Sequence, residues 1–112
     1  MPIIDSGVTD NVENAKTGAQ QGVRYLVEQQ RVKLLKFGIT SEPQKQLRQF
    51  ELDGSRYNHM FLIFKTAVPA DLKTMTEFVV TTYPQYCSEE MKNECEGKFP
   101  RFLYCVTYIP VK

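Results

Sequence analysis

Residues 57–66, Tyr-Asn-His-Met-Phe-Leu-Ile-Phe-Lys-Thr, form an almost unbroken apolar run. A strand with one wet face alternates apolar and polar residues, whereas a continuous run is expected where both faces are covered. The run therefore calls for a sheet with packing on both sides. The chain supplies helices on either side of it in sequence. Ser41-Glu42-Pro43-Gln44 reads as a helix start, with Ser41 as cap, Gln44 at the capping-box position and Pro43 in the first turn. Leu47 and Phe50 give that helix an apolar stripe, and Gly54 ends it. Pro69-Ala70-Asp71 opens a second helix. Leu72, Met75, Val79 and Tyr83 share one of its faces, and Pro84 stops it.

The flanking segments read as strands. Val23, Tyr25 and Val27 alternate with Arg24 and Glu28, and Val32–Thr40 is a second β-rich run, so a hairpin joined at Gln29–Arg31 is expected. Residues 101–109, Arg-Phe-Leu-Tyr-Cys-Val-Thr-Tyr-Ile, alternate strongly and make a last strand. Residues 85–98 are polar and acidic, with a short helix expected at Ser88–Glu94. Residues 1–20 show neither period and read as a flexible polar arm ahead of a single domain over 21–112. The expected fold is α+β: a small, mostly antiparallel sheet in β-β-α-β-α-β order, flanked by helices.

Composition narrows the function classes. The chain has 112 residues, 42% hydrophobic and 24% charged, which suits one domain with a modest core. No basic start leads into a long apolar stretch, so an intracellular location, cytoplasmic or nuclear, is expected, with no membrane association. The net charge of +1 is unevenly spread: residues 24–65 hold eight basic against four acidic side chains, while the flanking segments are slightly acidic. A mildly cationic middle suits phosphates, and a solvated helix face would look the same. Cys87, Cys95 and Cys105 lack zinc-ligand spacing and lie far from His59, the single histidine, so they are expected to be reduced structural thiols. His59 itself begins the apolar run and reads as structural. The aromatic set Phe61, Phe64, Phe99, Phe102, Tyr104 and Tyr108 reads as core and sheet surface. No P-loop, G-x-G-x-x-G, G-x-S-x-G or H-E-x-x-H occurs.

One stretch carries more information. Gly22-Val23-Arg24-Tyr25 is followed, after residues 26–35, by Lys36-Phe37-Gly38-Ile39-Thr40-Ser41-Glu42-Pro43. Two short aromatic-and-glycine triplets about ten residues apart, followed by a helix, resemble the GIY-YIG endonuclease superfamily over about residues 22–83. The resemblance implies two neighbouring strands whose tyrosines position an attacking water, an arginine on the next helix that steadies the phosphate, and a glutamate on a later helix that holds Mg or Mn. Carried over by position, it implies Tyr25 for the first phenol, Gly38 for the close-approach glycine and Glu77 for the metal ligand.

The motif is degenerate. Phe37 stands where the second tyrosine belongs, and Gln46 where the arginine belongs. Arg48 lies two residues on, about 200° around a helix. Losing a cationic clamp removes transition-state stabilisation. The expectation is therefore a nucleic-acid-associated domain with a degraded site, inactive or weakly active, binding DNA or RNA through Arg24, Lys36, Lys45 and Arg48. Two other readings stay open. One is an active metal-dependent nuclease using Tyr25, Arg48 and Glu77. The other is a protein-interaction module that pairs through the final strand, as a homodimer or with another chain.

Overall fold

The computed structural model describes all residues except 1–2, 6–7, 89–90, 92–99 and 111–112. It is an α+β fold. In chain order the elements are β1 (Ile3–Ile4), α1 (Val12–Glu28), β2 (Leu34–Thr40), α2 (Pro43–Leu52), β3 (His59–Thr66), α3 (Pro69–Thr82) and β4 (Arg101–Tyr108). The strands lie in the order β1-β3-β4-β2. β4 runs antiparallel to both neighbours, whereas β1 is parallel to β3, so the sheet is mixed rather than mostly antiparallel.

The apolar run does what its composition demands. Met60, Leu62 and Phe64 in β3 are almost fully buried. Met60 and Leu62 pack under α2, with Leu47, Phe50, Tyr104 and Val106. Phe64 packs on the opposite face, with Phe37, Ile39, Leu72, Met75, Val79, Leu103 and residues of α1. A register shift between Leu62 and Phe64 lets the strand change the face it serves midway. Asn58 ties the sheet's end: its Nδ2 donates to the Ile109 carbonyl at 2.8 Å and its Oδ1 accepts from the Ile109 N–H at 2.9 Å. His59 is structural in this sense, with Nδ1 2.8 Å from Asn58 Oδ1 and its ring stacked on Phe61.

Two sequence expectations are overturned together. The hairpin does not form, because residues 12–28 are one helix; and the described residues of the expected arm are not loose, since Ile3–Ile4 form β1 and residues 12–20 open that helix. Ala15, Ala19, Val23 and Leu26 are buried along one helical face. Two of those four are alanines, so the stripe is too weakly apolar to register as a period. The alternation of Val23, Tyr25 and Val27 that suggested a strand leaves Tyr25 53% and Val27 43% exposed. Ahead of α1, Ile3 and Ile4 pair with Met60 and Phe61, and Thr9 bridges to Phe64. Asn11 caps α1, its side chain accepting from the Asn14 N–H at 2.9 Å. Asn11→Ala is expected to cost about 1 kcal/mol in urea unfolding. An unchanged midpoint would mean that the segment is not docked as a helix.

The other helices lie where the sequence places them. α2 starts at Pro43, but its cap is Glu42 without a side-chain bond, and Thr40 Oγ1 instead accepts the Glu42 N–H at 3.1 Å, so Ser41 is not the cap. α2 ends in paired closing bonds, Ser55 N–H to Phe50 C=O and Gly54 N–H to Glu51 C=O, around Gly54 at φ +68°. In α3, Leu72, Met75 and Val79 are fully buried, and a 3-10 turn at Pro84–Tyr86 follows. The short helix expected at Ser88–Glu94 falls largely outside the described residues, as do Cys95 and Phe99. The final strand is not an edge. β4 pairs with β3 on one side and β2 on the other, so dimerisation through that strand has no free backbone to use.

Candidate functional site

β2 and α2 enclose a polar cleft of about 230 Å³. Lys36 and Gly38 reach it from β2, Gln46 and Asp53 from α2, Tyr104 from β4, and Ser88 from the segment after the 3-10 turn. The helical spacing explains α2's share: Gln46, Phe50 and Asp53 fall at i, i+4 and i+7, one face of the helix. Gln49 Nε2 donates to Asp53 Oδ1 at 3.0 Å, which fixes the carboxylate along the helix end. Ser88 Oγ accepts the Met91 N–H at 3.3 Å. Tyr104 is 5% exposed, and its ring meets Phe50 edge-on at 6.1 Å.

Gly38 and Tyr104 are register partners across β2 and β4. A Cβ built on Gly38 would overlap the Tyr104 phenol. The glycine therefore makes room for the ring to lie across the strand. This phenol is the functional candidate that the sequence reading left in the core and sheet-surface set. The signal for it was the glycine itself: a glycine inside a strand marks a close approach, and only the pairing partner was unknown.

The residues singled out from sequence do not converge. Tyr25 lies on α1 and lines a second, apolar cleft of about 260 Å³ between that helix and the sheet, with its Oη accepting from Gln30 Nε2 at 2.6 Å. Glu77 is exposed on α3, which packs on the same sheet face as α1. Arg48 is exposed on α2, across the sheet from both. It lines a surface hollow with Glu42, Pro43, Gln44 and Lys45, whereas Gln46 faces the polar cleft. The rotation of about 200° between these two positions is thus realised in the fold. Phe37 sends its ring into the α1/α3 core, where it stacks on Tyr83 at 5.8 Å.

The cations divide as well. Arg24 is on α1, 3.4 Å from Glu28. Lys36, Lys45 and Arg48 lie on the α2 side of the sheet. Two more join them there: Arg56 lies over the Tyr108 ring at 5.1 Å and Lys65 over Phe102 at 5.5 Å. Both rings project from β4 on the same alternation as Tyr104. Against these five cations the described residues of that side include three carboxylates, Glu42, Glu51 and Asp53.

Of the described thiols, Cys105 is placed for structure. Burial, reinforced by Cys87, pushes the Cys105 thiol far above its usual range, so it stays neutral. Burial, aided by Cys105, also raises Tyr57, and burial aided by Tyr86 raises Tyr83. Among the described residues no group of three or more His, Cys, Asp or Glu side chains is placed to hold a metal ion. No helix among them is long and apolar enough to cross a membrane. Comparison with protein-family models, with curated proteins and with solved structures gives no match to this chain.

Proposed function

We propose that this chain is a nucleic-acid-associated domain that holds a phosphodiester backbone on the α2 side of its sheet and does not hydrolyse it. The observation that carries this reading is the grouping of Lys36, Lys45, Arg48, Arg56 and Lys65 on one side of the sheet, two of them seated over aromatic rings. Arginine and lysine beside half-buried rings suit a strand of phosphates and bases. The likeness to GIY-YIG nucleases fits the same reading in a rewired form. The Lys36-Phe37-Gly38 strand lies beside a tyrosine-bearing strand, and that strand is β4 rather than residues 23–29. In this reading Tyr104 takes the role that the resemblance gives to Tyr25.

Hydrolysis is left out for a physical reason. The phosphate clamp, the metal carboxylate and a phenol must meet at one phosphorus atom. Arg48 and Glu77 lie on opposite sides of the sheet, and the cleft holding Tyr104 contains neither.

Fluorescence anisotropy with labelled oligonucleotides tests the reading. Affinity is expected to fall steeply as salt rises. Lys45→Ala and Arg48→Ala are each expected to lower the log–log salt slope by about one. Binding indifferent to salt, or unchanged in the double variant, would refute the reading. A plasmid assay with magnesium or manganese is expected to show no nicking. Metal-dependent nicking that vanishes in Glu77→Ala would establish a nuclease instead.

A further inference from the structure

We infer that the polar cleft between β2 and α2 receives one unpaired base of a nucleic-acid strand, not a phosphate. This rests on the nucleic-acid reading above and adds what the domain selects. Charge decides between base and phosphate. Among the described residues that line it the cleft has one cation, Lys36, and one carboxylate, Asp53, which together offer no net attraction to an anion. The cations suited to a backbone lie outside it, Lys45 and Arg48 in the hollow on the other flank of α2 and Arg56 and Lys65 over rings of β4.

The remaining polar groups suit a base edge. Gln46 offers an amide and Ser88 a hydroxyl, and each of these groups both donates and accepts. Lys36, Phe37, Gly38 and Ile39 all line the cleft, although side chains along a strand alternate between faces. Four consecutive strand residues reach one cleft only if it also meets their backbone. β4 occupies one edge of β2, so the cleft lies along the other. Backbone N–H and C=O groups there add the alternating donor and acceptor pattern that a base presents. Phe50 and Met91 supply apolar wall for the flat face of a ring. At about 230 Å³ the cleft is smaller than a drug-sized pocket and suits a single heterocycle. A stacked base inside a duplex cannot enter it, so the preferred strand is one with a bulged or unpaired nucleotide.

The test uses the full chain and three labelled duplexes of one sequence: flush, with a single-nucleotide bulge, and with that bulge replaced by an abasic spacer. The bulged duplex is expected to bind about tenfold more tightly than the other two. Gln46→Leu and Gln46→Ala are both expected to erase that preference while leaving the salt slope intact. Lys45→Ala, on the same helix, is expected to do the reverse. Equal affinity for all three duplexes, or a preference that survives both Gln46 variants, overturns the inference and leaves the nucleic-acid reading standing. Failure to bind any of them with salt dependence overturns the reading itself.

Discussion

Replacing Phe37 with alanine is expected to destabilise the fold by about 3–5 kcal/mol, a large share of the roughly 5–15 kcal/mol available to a domain. Its ring is fully buried among Ile39, Leu72, Val79 and Leu103 and stacks on Tyr83 with an interplanar angle of 23°. Truncation removes contacts from β2, α3 and the following turn together, and a close-packed core collapses only partly around the gap. Urea unfolding followed by circular dichroism measures the loss. A cost under about 1 kcal/mol would mean that the site is far looser than the geometry indicates. Phe37→Tyr is the informative companion. The resemblance to GIY-YIG nucleases makes that change look like a repair, yet the new hydroxyl would enter an apolar core and cost about 1–3 kcal/mol. It would add no phenol to the polar cleft, and nicking is expected to remain absent.

Gly38→Ala is the second large effect, expected to cost about 1–3 kcal/mol through overpacking against the Tyr104 phenol. Tyr104→Ala alone is expected to cost about 3–5 kcal/mol, since its ring packs with Phe50, Met60 and Leu62. The decisive quantity is the coupling. With the phenol gone, the added methyl meets open space, so the double variant is expected to fall short of the summed costs by about 1 kcal/mol or more. Strict additivity in denaturant titrations would show that Gly38 matters for some reason other than this contact.

These two residues also mark where sequence reasoning reached and where it stopped. The helix starts at Pro43 and Pro69 were legible from their prolines, the buried stripe of Leu72, Met75 and Val79 from its helical period, and the two-sided strand within 57–66 from its unbroken apolar run. α1 was not, because Ala15 and Ala19 form half its buried stripe while Val23, Tyr25 and Val27 carry high strand propensity. Tertiary packing against the sheet outweighs that propensity. The candidate site was half legible. Lys36, Gly38 and the outward turn of Arg48 follow from local spacing. Tyr104 does not, because its approach to Gly38 is a pairing across more than sixty residues, and no local pattern encodes strand order.

That long-range pairing also sets when the domain can exist. β4 is the latest strand in the chain and the one that joins β2 to β3. Until it arrives, β2 has no strand partner, and β3 has only the short β1 and Thr9 beside it. A ribosome releasing residues in order therefore presents β1 to β3 and α1 to α3 before the element that unites them. Loop closure over that distance makes assembly slow for a domain of this size. Nascent chains halted before Arg101 should remain protease-sensitive and engage chaperones, and resistance should appear in one step once Tyr108 has cleared the exit tunnel.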